Sequence, residues 1–234
     1  RQEHYPAPAE NPVVRAGTLQ ADLARRDFTV NAMALDLVTG ELIDLHHGQE
    51  DLASGQLRFL HAGSVQDDPT RVIRAARYAA RLGFELAQES SEQIRSTIKQ
   101  WPWAWGHGDA ALSAPPALAS RLRMELERLL EREPWPQALD LLEQWQALLL
   151  LDPQLQQDPG RMQRLHWAQR LGLPLMPALL VGAADPIAVA QRLQIPSRQQ
   201  QWLQQCVALC DWLVETPPPL EATPITVRNF VSKT

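Results

Sequence analysis

Two short stretches bring arginines, carboxylates and an amide together at spacings that suit a nucleotide. One is Arg25-Arg26-Asp27-Phe28-Thr29-Val30-Asn31-Ala32; the other is Asp67-Asp68-Pro69-Thr70-Arg71-Val72-Ile73-Arg74-Ala75-Ala76-Arg77. A guanidinium presents a fixed fork of donors that matches phosphate oxygens. A carboxylate accepts from a ribose hydroxyl or from the amino group on a base edge. In the first stretch Asp27 and Asn31 stand four apart, so on a helix they act together. Arg26 beside them has the reach for a phosphate while Asp27 accepts from a ribose hydroxyl. The competing reading is local: Asp27 caps a helix beginning at Phe28-Thr29, which contributes about 1 kcal/mol, and both arginines are surface charges.

In the second stretch Arg71, Arg74, Arg77 and Arg81 are spaced three, three and four apart, with no acid between 71 and 81. At about 100° per residue they cover roughly a third of the helix circumference. Such a stripe is more often a solvated face than a phosphate-binding surface, and both readings stand at this point. Val72, Ile73, Ala75, Ala76, Ala79 and Ala80 supply the packed side, and the alanines let another helix approach closely. Asp68 and Arg71, three apart at the helix start, have a structural reading as a cap plus a local ion pair worth about 0–1 kcal/mol when exposed. They also have a chemical one. Asp68 accepts from the exocyclic amino group of C or A, and Arg71 donates to the ring nitrogen or carbonyl beside it. The pair matches the pairing edge of C and A and mismatches U and G, a good bidentate contact being worth roughly 1–3 kcal/mol.

The elements that must position these groups follow from pattern. Residues 1–18 carry Pro6, Pro8 and Pro12 and read as irregular and extended. A short helix is expected over Asp27 to Leu35. It is followed by a strand over Ala34 to Val38, a turn at Thr39-Gly40 and a strand over Glu41 to Leu45. His46-His47-Gly48 reads as a turn; adjacent histidines point apart and no third ligand is close. Asp68 as cap and Pro69 at the first helical position start a helix that stops at Gly83. Another opens at Ser90 or Ser91 and runs to about Gln100. Amphipathic helices are then expected over about 117–132, 136–151, 159–171, 175–183, 186–194 and 197–214. The tryptophans at 101, 103 and 105 suit either base stacking or an insertion folded onto the helices, and the second reading is favoured. The glutamines at 199–201, 204 and 205 read as a solvated helix face, and Pro217-Pro218-Pro219 as a stiff connection.

At 234 residues and net charge -5, the chain supports a sizeable core and is no generic nucleic-acid binder. Contact with RNA has to come from local basic patches. Cys206 and Cys210, four apart, read as small core residues, and two cysteines in this length fit a reducing compartment, so a cytoplasmic location is expected. No apolar run approaches the roughly 20 residues of a membrane span, and no signal peptide is evident. The chain starts at Arg1 and reads as a fragment.

The two blocks, in this order and about 40 residues apart, resemble the class II tRNA nucleotidyltransferases (CCA-adding enzymes) and the related bacterial poly(A) polymerases. Arg25, Arg26, Asp27, Asn31 and Ala32 match the family's RRDxxxNA motif. Asp67, Asp68, Arg71, Arg74, Ala75 and Arg77 resemble its (E/D)DxxRxxRAxR motif. Arg121 and Glu125 resemble part of ERxxxEL, with Ser120 in place of the usual first Glu. The resemblance implies an α+β, mostly α fold. Residues 1–60 would be the C-terminal part of a nucleotidyltransferase head domain, 61–135 a helical neck that recognises the base, and 136–234 an incomplete helical body that binds tRNA. It implies that Arg26, Arg74 and Arg77 contact a triphosphate, that Asp27 holds the ribose, and that Asp68 and Arg71 pair with the base of incoming CTP or ATP. Asn31 belongs to the same set, with Arg25, Asp67, Arg121 and Glu125 in support. The activity implied is metal-dependent addition of C and/or A to the tRNA 3′ end, Mg²⁺ activating the primer hydroxyl and balancing triphosphate charge. Poly(A) synthesis by the same family and a non-catalytic nucleotide- or RNA-binding module are the alternatives. The family's paired metal-binding aspartates follow a Gly-rich segment that this chain lacks. They are expected upstream of residue 1, leaving this polypeptide inactive alone and its full-length parent active.

Overall fold

The computed structural model describes residues 2–100 and 115–215. Along the chain run β1 (Gln2–His4), β2 (Val13–Arg15), α1 (Leu19–Ala24), β3 (Met33–Leu35), β4 (Leu42–Asp44), α2 (Gly48–Ser54), β5 (Gln56–Leu57), α3 (Ser64–Asp67), α4 (Thr70–Leu82), β6 (Glu85–Leu86) and α5 (Gln88–Lys99). Then come α6 (Pro116–Arg132), α7 (Trp135–Gln144), α8 (Pro153–Gln157), α9 (Arg161–Arg170), α10 (Leu175–Leu180), α11 (Pro186–Arg192) and α12 (Ser197–Glu215). Helices dominate, as the α+β, mostly α expectation has it. Each strand pairs with one other: β1 with β2 and β3 with β4 antiparallel, β5 with β6 parallel.

Helix α4 is the organising element. Asp68 Oδ1 accepts from the Thr70 backbone N–H at 3.2 Å and from the Thr70 hydroxyl at 2.7 Å, fixing the start of the helix. The helix begins at Thr70, one residue after the expected Pro69. The chain leaves the helix at Gly83, φ +68°, where a side chain would be strained. Val72, Ile73, Ala75, Ala76 and Ala79 are buried along one side, and α6 and α7 pack there. From α4 one apolar cluster continues through Leu122, Leu126 and Leu129 of α6 and Leu139 and Leu142 of α7 to Leu179, Leu180 and Leu203.

Several expectations give way to local chemistry. The proline-rich start is not irregular throughout: Gln2–His4 pairs with Val13–Arg15, and Pro6, Pro8 and Pro12 fall in the connection. No helix spans 27–35. Phe28 is extended and bridges Phe59, a 3-10 turn covers Thr29–Asn31, and β3 follows at Met33. The Phe28 ring is fully buried, stacked on Phe59 at 5.2 Å and edge-on to Tyr78 at 5.6 Å. Burial of such a ring contributes about 2 kcal/mol. That contact, which no helical periodicity predicts, overrides the local signal. The hairpin of β3 and β4 forms as expected. His46-His47 forms the turn before α2, and Asp44 caps α2 through the N–H groups of Gly48 and Gln49 at 2.8 and 2.9 Å. Gly48 sits so close to the Thr29 carbonyl that a Cβ there would collide with it.

The expected helix over 136–151 breaks at Gln146, φ +58°, into α7 and a 3-10 turn over Ala147–Leu150. The short helix α8, capped by Asp152, was not expected. Cys206 is only partly buried and Cys210 is exposed, so neither belongs to the core. Gln201, Gln204 and Gln205 are exposed, in keeping with a solvated face. The tryptophan segment 101–105 and Pro217 to Pro219 lie outside the described residues. Among the described residues no helix is long and apolar enough to cross a membrane.

Candidate functional site

Between α1 and the 3-10 turn the first motif folds into a closed set of contacts. Arg25 donates to Asp22 and Glu3, each at 2.8 Å. Arg26 donates to the Asn31 carbonyl at 2.9 Å and to Asp22 at 3.2 Å. Arginines 25 and 26 hold the Asp22 carboxyl well below the usual range. Asp27, 8 % exposed, accepts at Oδ1 from the Phe28 N–H and the Asn31 amide, both at 3.0 Å. Its Oδ2 accepts from Arg74 Nε at 2.8 Å and Nη2 at 2.5 Å. Burial works to raise this carboxyl's pKa, but the Arg74 charge and the bonds from Asn31 and Arg74 together bring it below the ordinary value. Asp27 and Asn31 do act together, as their spacing suggests, across a 3-10 turn and not a helix.

Asp68 and Arg71 are arranged differently. Among the described residues the hydrogen bonds to the Asp68 carboxylate go to Oδ1, the Arg71 backbone N–H donates to the Asp68 carbonyl at 3.0 Å, and Arg121 Nη1 lies 4.0 Å from Oδ2. Arg71 is 5 % exposed and spends Nη2 on the Arg25 carbonyl at 3.2 Å. Its Nη1 is buried with no hydrogen-bond partner. A buried donor left unpaired costs free energy, so this guanidinium nitrogen is a site of unmet bonding. Arg71 and Asp68 line one cavity but form no ion pair with each other. The stripe reading as a solvated face fails here and again at Arg77, which is 8 % exposed.

The next arginines along α4 all meet carboxylates. Glu125, 5 % exposed on α6, takes Arg74 at 3.3 Å, Arg128 at 2.6 Å and Arg77 in a short contact. Glu133, just past the end of α6, takes Arg77 at 2.9 Å and Arg81 at 2.8 Å. A continuous chain of ion pairs therefore runs Asp27, Arg74, Glu125, Arg77, Glu133, Arg81. Burial opposes the charge of Arg74, yet Asp27 and Glu125 raise its pKa further above the ordinary value.

These groups surround a cavity of about 550 Å³. Of the residues singled out in the sequence, Arg25, Arg26, Asp27, Asn31, Asp68, Arg71, Arg74, Arg121 and Glu125 line it. Asp67 faces a neighbouring cavity with His61, 3.9 Å from its imidazole, and Arg77 lines another with Arg81. Arg121 is held at the rim by the Ala9 and Glu10 carbonyls. Sequence reasoning missed Glu3, Tyr5, Thr70, Tyr78 and Met124, which also line the cavity. Tyr78, one turn after Arg74 and packed on Phe28, was recoverable from helical spacing; Glu3 and Tyr5 arrive by the β1–β2 pairing and carry no local signal. Burial and the Asp68 charge raise the Tyr5 hydroxyl pKa, so it stays a neutral donor at the rim.

The carboxylates here do not suit a metal ion. Among the described residues no group of three or more His, Cys, Asp or Glu side chains is placed to hold one, and Asp27 and Glu125 are committed to arginines. The arrangement suits a ligand with a polar planar edge and negative charge.

Residues 1–58 match the family described as the poly(A) polymerase head domain. The chain is 34% identical to the CC-adding tRNA nucleotidyltransferase of Deinococcus radiodurans, over 99% of this chain and 61% of that protein. It is 40% identical to the A-adding tRNA nucleotidyltransferase of Halalkalibacterium halodurans, over 42% of this chain and 23% of that protein. Among solved structures, a CCA-adding enzyme in an apo form superposes with a TM-score of 0.65 at 25% identity, covering 100% of this chain and 59% of the other. The chain thus spans about three fifths of the length of the Deinococcus relative.

Proposed function

Since this chain belongs to the class II tRNA nucleotidyltransferase family, we propose that its cavity holds the base, ribose and phosphates of CTP or ATP for addition of C and/or A to a tRNA 3′ end. The observation that carries this is that Asp68, whose Oδ2 accepts no hydrogen bond among the described residues, and Arg71, whose Nη1 is buried without a partner, line the same cavity three residues apart at the start of α4. Cytosine and adenine both present an amino donor next to a ring acceptor, the complement of that pair; uracil and guanine present the reverse. Arg26 and Arg74 supply phosphate contacts, while Arg77 lies outside this cavity and acts by holding Glu125. Asp27 and Asn31 receive the ribose, for which one of the present Asp27 hydrogen bonds has to lengthen.

Transfer in this reading needs Mg²⁺ held by residues other than those described here, and takes place in the cytoplasm with the tRNA acceptor end along the helices. Residues 1–60 act as part of a head domain, 61–135 as the base-recognising neck and 136–234 as the body. Similarity to both a CC-adding and an A-adding relative supports a pocket built for either base and leaves the choice between them to contacts beyond this cavity. The test is titration of the chain with CTP, ATP, UTP and GTP, read by calorimetry. CTP and ATP are expected to bind at least tenfold tighter than UTP and GTP; equal affinity for all four would remove the base-recognition reading.

A further inference from the structure

A second cavity, of about 620 Å³, shares Arg74 and Tyr78 with the first and opens beside it between α4 and α6. Arg77 and Arg81 of α4 and Arg128 and Arg132 of α6 complete its cationic lining, and Glu133 is its one carboxylate among the described residues. We propose that this cavity is a phosphate-binding site, distinct from the base-reading end of the first pocket.

Three observations carry it. The first is charge. Even when Asp27 and Glu125 are added to Glu133, because they hold Arg74, Arg77 and Arg128 from behind, five guanidinium groups face three carboxylates. The second is preorganisation. Glu133 bridges Arg77 and Arg81, and Arg81 lies over the Tyr78 ring at 5.2 Å, so these forks are fixed before any ligand arrives. The third is spare capacity. Arg132 is exposed and makes no ion pair or hydrogen bond among the described residues, and Arg128 meets Glu125 through Nη1 alone. Clustered guanidinium groups with free N–H forks are matched by the oxygens of a phosphate.

A phosphate reaches this place from one of two sources: the tail of a nucleoside triphosphate whose base lies in the first cavity, or the backbone of an RNA strand. The anion site stands without the nucleotide reading; only the first source depends on it. Three probes separate the cases: inorganic pyrophosphate, ATP and a short single-stranded oligoribonucleotide, each titrated at low ionic strength into the wild-type chain and Arg132→Glu. Arg132→Glu disturbs no described contact, and Arg128→Gln serves as a second variant, with urea unfolding as the folding control.

Pyrophosphate affinity is expected to fall at least tenfold in Arg132→Glu. A matching fall for ATP alone identifies the triphosphate tail; a matching fall for the oligoribonucleotide alone identifies the RNA backbone; a fall for both means that the two share the site. If neither variant weakens any of the three probes, the proposal is overturned. If pyrophosphate weakens while the chain shows no preference among the four nucleotides, the anion site holds and the base-recognition reading is the one that fails.

Discussion

Arg71 and Arg77 stand on the same helix, two turns apart, and both are almost wholly buried, yet their surroundings are opposite. Arg77 is saturated: Glu125 and Glu133 take its guanidinium from two sides. Among the described residues the Arg71 guanidinium meets one carbonyl and keeps a buried nitrogen without a partner, and the Asp68 carboxylate on the same cavity wall uses Oδ1 alone. Residues of one type in one periodic stripe thus differ in whether their bonding is met within the protein, and the proposed reading gives the unmet one to recognition. What separates them is whether the facing element brings a carboxylate. Glu125 of α6 takes Arg74, Arg77 and Arg128, whereas the elements around Arg71 bring no carboxylate within ion-pair distance among the described residues.

The strongest way to break this contrast is on the saturated side. Glu125→Ala leaves Arg74, Arg77 and Arg128 short of their shared counter-charge. Removal of one partner from a largely buried network costs about 3 kcal/mol. The urea midpoint should fall accordingly, and a loss below about 1 kcal/mol would mean that the network contributes nothing beyond a surface pair. Asp27 comes next. Its folded pKa lies below the unfolded value of about 3.9. Its stabilisation is therefore complete above that unfolded value and is lost as pH falls through the folded one. Asp27→Asn should lower stability at neutral pH and flatten the loss of stability below about pH 4. An acid limb as steep as wild type would assign the acid sensitivity to other carboxylates whose pKa is also lowered, Asp22 and Glu133 among them.

Much of the recognition side was legible in the sequence because it is local. Asp68, Pro69 and Gly83 announce the ends of α4, while the local ion pair expected between Asp68 and Arg71 does not form: Arg71 reaches the Arg25 carbonyl instead. The two motifs, far apart in sequence, meet as Asp27 and Arg74, 2.5 Å apart at the closest. The assembly side was not legible. Glu133 lies 56 residues beyond Arg77 and looks like any acid at a helix end. Its role exists only once α6 packs on α4. In the same way, β1 is three residues long with no alternating pattern, and it brings Glu3 and Tyr5 to the rim by pairing alone. The 27–35 segment failed as a helix because burial of Phe28 against Phe59 and Tyr78 outweighs the weak local preference there.

The central claim, that Asp68 with Arg71 reads a base and does not merely start a helix, is tested most directly by comparing wild type with Asp68→Ala in two readouts. One is the ratio of affinities for CTP and ATP over UTP and GTP; the other is the urea midpoint. The account predicts that the ratio falls at least tenfold, within the roughly 1–3 kcal/mol of a bidentate base contact. The stability loss should stay near the 1 kcal/mol of a helix cap. Unchanged selectivity together with a large loss of stability would contradict it and make Asp68 a cap alone.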